Sequence, residues 1–248
     1  MKVLILNHSF RVLAGSEINA LQLANALNKM GYEGDIGTLA ISKRMQQFAI
    51  DMGIKLLDLL DDENTPLNYE LVWAHPAPLL THVLFRKDLT GCRLLFSSLS
   101  PLTPLESPPV FFSHLSCLLV HSDKNRTHLL ELGASRDRLH FFPNFAPPAF
   151  FARTKVSLRP SPRKIAVVSN NLTPEIFQMS VIARRRGLQV DFIGRNGKSF
   201  YVDEHALLPY DVVVSIGKTA PYCFAPKIPF FCYDHFGGSG YLHPDNLS

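Results

Sequence analysis

The sequence predicts an α/β protein built from two tandem Rossmann-like domains, residues 1–155 and 156–248. Three observations lead to this prediction. Short apolar runs first alternate with amphipathic helical segments, an order that implies a parallel sheet with right-handed crossovers. A proline-rich segment follows at residues 147–162. The same alternation then starts again with a strand over residues 164–169.

In the first domain, β-branched and aliphatic runs predict the strands and apolar residues at helical spacing predict the helices. We expect Ser16 to cap the first helix and Gly31 to end it. We expect an acidic surface loop at 58–68 and a rigid, proline-rich loop at 98–109. The expected strands lie at 3–6, around 36, from 53, and at 70–74, 93–97, 117–122 and 139–142. The other expected helices lie at 42–52 and from Ser122 or Asp123 to Leu132.

In the second domain, the decisive stretch is the strand 211–214 with the turn that follows it. The expected neighbours are a helix opened by Thr173-Pro174, strands at 190–194 and 229–233, and a glycine-rich loop at 237–240. Gly217 lets an anion approach the backbone, and a helix opening at Lys218 adds oriented amides and a positive charge. A P-loop is excluded because Val212 stands where that motif needs a glycine. A phosphate site and an empty strand-to-helix turn both remain open.

Composition narrows the class of protein. The chain has 248 residues, of which 46% are hydrophobic and 19% charged. No apolar run is long enough for a membrane span or a signal peptide, so we expect a cytoplasmic protein. The four cysteines lack metal-site spacing and are expected to be buried free thiols. We expect no metal site and no cofactor. The net charge of +4 suits a small anion or an acidic membrane face better than nucleic acid.

Two side chains of the first domain are candidates for chemistry. His75 follows the strand 70–74, and ligands of open α/β sheets bind at such strand ends. The alternative is a histidine that caps a helix or packs under a loop. Glu106 is the one charged residue in the proline-rich loop. The alternative for Glu106 is a solvated loop acid or a helix-cap partner.

Several local patterns together resemble the GT-B glycosyltransferases, in particular the family 4-like group of bacterial surface polysaccharide assembly. Residues 15–17 before an amphipathic helix are similar to that group's Gly-Gly-x-Glu opening, with Ala14 in place of the first glycine. Ser122, Gly133 and Pro143-Asn144 resemble the end of its first domain. Residues 215–220 and 233–238 resemble segments that flank the donor. Residues 170–173 replace the basic pair found in many members, and typical members continue further, so we expect the second domain to be short or incomplete.

The resemblance implies a metal-independent transfer of sugar from a nucleotide-sugar to a glycan or lipid-linked acceptor, with peripheral contact to the inner membrane face. His75 and Glu106 would be the catalytic residues on the acceptor side. The donor would be bound by Gly217, Lys218, Thr219, Asp234, His235, Gly237 and Gly238. The acceptor side or phosphate loop would involve His8, Gly15, Ser16, Glu17 and Asn144.

Two other functions fit the same residues. A non-catalytic protein derived from a transferase, or half of a split enzyme, would bind a nucleotide-sugar or a partner without turnover. A nucleotide-sugar epimerase of the same architecture would need acid and base carboxylates, for which Glu106 and Asp234 are the candidates. Isothermal titration with nucleotide-sugars distinguishes binding from no binding, and release of free nucleotide in the presence of an acceptor lipid distinguishes a transferase from a binding protein.

Overall fold

The structure, a computed structural model, describes residues 1–60, 67–100, 104–155, 161–195, 197–198 and 200–246. The chain forms two compact units, Met1–Pro143 and Asn144–Ser248. Parts of the predicted loops at 58–68 and 98–109 and of the linker at 158–162 lie outside the described residues. Each unit contains a largely parallel sheet with helices packed against it, so the predicted fold class is confirmed.

The first unit is a doubly wound α/β domain. Its sheet has the order β3-β2-β1-β4-β5-β6-β7, and every neighbouring pair is parallel. The strands β1 to β7 are Lys2–Leu6, Glu33–Thr38, Leu56–Asp58, Leu71–Ala74, Arg93–Ser98, Cys117–Val120 and Leu139–Phe141. The helices α1 to α4 are Gly15–Lys29, Lys43–Asp51, Ala77–Arg86 and Asp123–Glu131. Short 3-10 helices lie at Pro104–Glu106, Phe112–His114 and Arg136–Arg138.

The second unit repeats the plan on a smaller scale. Its sheet has the order β12-β11-β10-β8-β9, in which β12 alone pairs antiparallel. The strands β8 to β12 are Lys164–Val168, Gln189–Ile193, Val212–Ser215, Phe230–Asp234 and Gly237–Tyr241. The helices α5 to α7 are Pro148–Phe151, Pro174–Arg185 and Thr219–Phe224, with a 3-10 helix at Pro244–Asn246.

The proline-rich segment after residue 143 belongs to the second unit. Two prolines start the short helix α5, and Phe150 on that helix is buried in one core of the second unit. The Phe150 ring stacks on Tyr222 with centroids 4.4 Å apart. The boundary between the two units therefore lies between Pro143 and Asn144, before α5, whereas the sequence predicts it between residues 155 and 156.

Helix capping matches the sequence in most places. Ser42, Ser122 and Thr173 each accept a hydrogen bond from the backbone N–H three residues on, so all three are N-caps, and Ser122 rather than Asp123 caps α4. The prediction for Ser16 is wrong. Helix α1 begins at Gly15 with Ala14 in the capping position, and the Ser16 hydroxyl instead donates to Glu17 at 2.9 Å.

Two further expectations need correction. The glycine-rich stretch after residue 236 was expected to be a loop, but Gly237–Tyr241 forms β12 against β11. All four cysteines are free as expected, but only Cys223 is buried, and the other three are half-buried.

Candidate functional site

The carboxyl ends of β8, β10 and β11 lie side by side, and we call this row of strand ends the carboxyl edge of the second sheet. These strands are parallel neighbours in the order β11-β10-β8. The Ser215 hydroxyl donates to the backbone oxygen of Val168 at 2.6 Å and so ties the ends of β10 and β8 together. In open parallel sheets this edge is where ligands bind.

The turn after β10 contains Gly217 in a left-handed conformation with φ +60°. Gly217 is exposed, and a Cβ atom built there would have no neighbour within 4 Å. The glycine is therefore needed for its backbone conformation rather than for close packing. Helix α7 starts two residues later, at Thr219, and is six residues long. Its dipole is correspondingly short, so the principal positive group at this turn is Lys218.

Lys218 lies against aromatic rings. Its Nζ is 3.6 Å from the centroid of the Phe145 ring and 5.9 Å from that of Tyr222. Burial of the amine lowers its pKa to about 7. The ammonium is therefore only partly protonated at neutral pH, whereas the sequence suggested a full charge. The ring faces favour the cation, and an anion placed beside it would raise the pKa again.

Asp234, at the end of β11, is buried and has three donors. The Ser169 hydroxyl, from the end of β8, donates to its Oδ2 at 3.1 Å. The backbone N–H and the Nδ1 of His235 both bond its Oδ1. Because a carboxylate only accepts, Nδ1 carries the proton in this bond and Nε2 is left as the second functional nitrogen. The His235 side chain is 38% exposed, so part of the imidazole is accessible to a ligand.

The glycines of β12 have a structural explanation. A Cβ atom at Gly238 would lie 2.0 Å from the backbone oxygen of Cys232 on the paired strand. The pairing of β11 and β12 shifts register between Cys232 and Asp234, next to this contact. Gly237 has φ +80° at the start of β12. Gly237 and Gly238 therefore allow β12 to pair with β11, the strand that ends at Asp234 and is followed by His235.

In the first unit, the strand ends carry a row of buried polar side chains. The register places Asn7, Thr38 and His75 next to one another: Asn7 and His75 lie just beyond β1 and β4, and Thr38 is the last residue of β2. His75 is 2% exposed, and its backbone N–H donates to Leu6. Its ring stacks toward Trp73 with centroids 6.3 Å apart. Sequence reasoning missed Asn7 and Thr38, since their alignment with His75 requires the strand order.

The other first-unit candidates differ in exposure. Glu17, in the first turn of α1, is buried, and burial raises the pKa of its carboxyl. Glu106 is half-buried in a 3-10 helix, and burial likewise raises its pKa. His8 is exposed directly after β1. Gly15 and Ser16 form the first turn of α1 together with Glu17.

The structure places the main second-unit candidates at two neighbouring strand ends. Lys218 and Thr219 follow β10, whereas Asp234 is the last residue of β11 and His235 follows it. Asn144, also a candidate, is the exposed first residue of that unit. Ser169 was not identified from the sequence. Its position at the end of an apolar strand was the available signal.

Comparisons with known proteins bear on the fold. No protein-family model and no curated protein sequence matches the chain. A crystal structure of a glycosyltransferase from Rickettsia africae ESF-5 is similar with a TM-score of 0.62 and 13% identity, over 96% of this chain and 80% of that chain. The crystal structure of Alr3699/HepE from Anabaena, in complex with UDP and glucose, is similar with a TM-score of 0.61 and 13% identity, over 94% of this chain and 80% of that chain.

A third similar structure is the apo form of the lipopolysaccharide outer core galactosyltransferase WaaB. Its TM-score is 0.54 at 11% identity, over 94% of this chain and 80% of that chain. A further structure of Alr3699/HepE contains UDP-glucose. Together these similarities show that the chain has the fold of GT-B glycosyltransferases.

Proposed function

We propose that this chain is a glycosyltransferase that binds a nucleotide-sugar at the carboxyl edge of the second sheet. The observation that carries the proposal is the placement of Lys218, on the Gly217 turn after β10, beside the end of the neighbouring strand β11, which carries Asp234 and leads to His235. A cation and a hydrogen-bonding pair at adjacent strand ends suit a diphosphate joined to a sugar. The UDP and UDP-glucose complexes of Alr3699/HepE, which has a similar fold, support the same ligand class.

In the proposed reaction, the nucleoside diphosphate leaves as the sugar carbon develops positive charge. The Lys218 ammonium and the amides of the Gly217–Thr219 turn would stabilise the departing diphosphate without a divalent cation. The Asp234 carboxylate would hold His235 so that Nε2 meets a sugar hydroxyl. Gly237 and Gly238 would fix the position of this pair through β12.

The first unit would supply the acceptor side. Burial raises the carboxyl pKa of Glu106 and of Glu17, and a raised pKa makes a carboxylate a better proton acceptor. We assign His75 and Glu106 to the acceptor hydroxyl, either as hydrogen-bond donor or as proton acceptor. We assign His8, Gly15, Ser16 and Asn144 to binding of the acceptor or of a phosphate.

Two measurements test the proposal. Isothermal titration with a panel of nucleotide-sugars should give saturable binding of at least one member. Release of free nucleotide should then rise when a lipid-linked or glycan acceptor is added, and it should persist in EDTA. Binding without release would contradict sugar transfer and favour a nucleotide-sugar-binding protein or an epimerase. Absence of binding across the panel would contradict the proposed function.

The affinity for a nucleotide-sugar should depend on pH through Lys218. The diphosphate diester keeps its charge between pH 6 and 8, whereas an amine with a pKa of about 7 loses its proton in this range. Its ammonium contribution is present below that pKa and is lost as the pH rises through it. We expect affinity to fall by about tenfold from pH 6 to pH 8.

The Lys218→Arg variant is the matched control, because arginine stays charged throughout this range. Its affinity should change little with pH. A pH dependence retained in Lys218→Arg would assign the titration to a group other than Lys218.

A lipid-linked acceptor would bring the protein to a membrane surface, and the first unit has an apolar groove suited to this. The groove, of about 650 Å³, lies between α3 and residues 107–111. Phe85 is 86% exposed and Val110 is 99% exposed at its rim. Arg86 and Lys87 follow Phe85 and suit anionic headgroups. No helix in the described ranges is long and apolar enough to cross a bilayer.

We expect the double variant Phe85→Asp/Val110→Asp to lose binding to vesicles of phosphatidylglycerol and phosphatidylethanolamine by about tenfold or more. Cosedimentation measures this partition. Leu132→Asp, at a comparably apolar exposed position of the same unit, is the control and should bind as the wild type does. Equal binding by the double variant would contradict the assignment of this surface.

A further inference from the structure

The two faces of the second sheet are covered unequally. One face packs Ala166, Val213 and Phe230 into a core with residues of α7. The opposite face packs Ile165, Val167 and Val190 beneath α6. Helix α6 lies over the β8–β9 side of that face, where the Arg184 guanidinium donates to Val190 at 2.8 Å. The side formed by β10 and β11 is more open: Val214 joins the same core, but its neighbour Phe231 is partly exposed.

This open side is apolar. A groove of about 390 Å³ runs between α6 and the two strands, lined by Met179, Val212, Val214, Phe231 and Tyr233. Phe231 is 37% exposed, and Tyr241, its partner on β12, is 50% exposed. An adjoining groove of about 460 Å³ shares Ile165, Glu175 and Met179 and continues along α6 to Arg186. The two grooves form one apolar surface with charged residues at its ends.

Helix α6 presents a stripe along this surface that is complementary to itself. Glu175 lies in the first turn, Met179 and Ile182 follow, and Arg186 is the C-cap. The spacings of four, three and four residues place these side chains on one side of the helix. An antiparallel copy of the same helix sets Glu175 against Arg186 and Met179 against Ile182, at both ends at once. A two-fold interface requires this reciprocal pairing.

We infer that this face of the second unit is a homodimer interface, in which two copies pack antiparallel through α6 and cover the groove over β10 and β11. The charges at the two ends of the stripe select a second copy of this chain in antiparallel orientation. A parallel arrangement would oppose Glu175 to Glu175 and Arg186 to Arg186, and is disfavoured by repulsion. The apolar residues between them supply the buried area.

Sedimentation velocity on the full chain over a wide concentration range tests the interface. We expect a concentration-dependent species of about twice the 27.8 kDa of one chain. Glu175→Arg and Arg186→Glu, each alone, should weaken the dimer by about tenfold or more, since each opposes like charges twice. The double variant Glu175→Arg/Arg186→Glu restores opposite charges and should recover the dimer to within about threefold of the wild type.

A further pair of variants tests the apolar part. Ile182→Asp should abolish the dimer, whereas Ile50→Asp, at a similarly exposed isoleucine of the first unit, should leave it intact. Circular dichroism checks that both variants are folded. A chain that stays monomeric at all concentrations would overturn the inference. So would a dimer insensitive to the single charge reversals, or one that the charge-swapped double variant fails to restore.

Discussion

Phe150→Ala is expected to lower the free energy of unfolding of the second unit by about 3–5 kcal/mol, the usual cost of truncating a buried phenylalanine. Phe150 is 2% exposed, and it stacks on Tyr222 at 4.4 Å with the rings 17° apart. Its loss would leave a cavity beneath α7, the helix that follows the Gly217 turn. A destabilised second unit would therefore also bind nucleotide-sugar less well.

Urea denaturation can separate the two units. The chain has one tryptophan, Trp73, whose fluorescence reports the first unit. Circular dichroism reports the unfolding of both units. The part of its change that occurs at other urea concentrations than the change in Trp73 fluorescence therefore reports the second unit. Phe151→Ala, at a position that is 66% exposed, is the matched control and should change stability by less than about 0.5 kcal/mol. Equal stability of the Phe150 and Phe151 variants would show that α5 is not part of the second core.

Lys218→Ala is expected to weaken nucleotide-sugar binding by about 1–3 kcal/mol, the range for a hydrogen bond to a charged group. The ammonium is already partly desolvated against Phe145, so less solvation is lost when a phosphate arrives. The variant also removes a partly uncharged buried amine, so the fold should tolerate it. Isothermal titration at pH 6.5, where the amine is mostly protonated, measures the loss with the greatest sensitivity.

Arg163→Ala is the control for the loss of one positive charge. Arg163 is exposed and directly precedes β8, so it lies at the amino end of that strand, opposite to the carboxyl ends where the Gly217 turn lies. Its replacement should leave the affinity within about twofold, because exposed charges that are far apart are screened. If both variants lose affinity equally, the effect of Lys218 is one of net charge and not of contact.

The parts of the fold that depend on local pattern could be predicted from the sequence. The apolar runs of β1 and β10 are strands, and hydroxyl side chains cap helices at Ser42, Ser122 and Thr173. Strand β12 could not be predicted, because a glycine-rich sequence has low strand propensity and pairs here through the backbone of β11. Likewise, a proline-rich segment predicted as linker supplies Phe150 to a core, which depends on tertiary packing.

In the candidate site, too, local sequence pattern predicts some residues, whereas others depend on tertiary contacts. Gly217 and Lys218 could be selected because a turn after a buried strand is a local feature. The environment of Lys218 could not be predicted from the sequence. Phe145 is distant in sequence, and its ring lies against the amine only in the folded chain. The contact of Ser169 with Asp234 likewise requires the ends of β8 and β11 to meet across β10.

A crystal structure of the chain soaked with the nucleotide-sugar that binds best in titration tests the central claim most directly. We predict that a diphosphate oxygen lies within hydrogen-bond distance of Lys218 Nζ, with the sugar toward His235. A nucleotide bound elsewhere, with the Gly217 turn and Lys218 unchanged and without contact to it, would contradict the account.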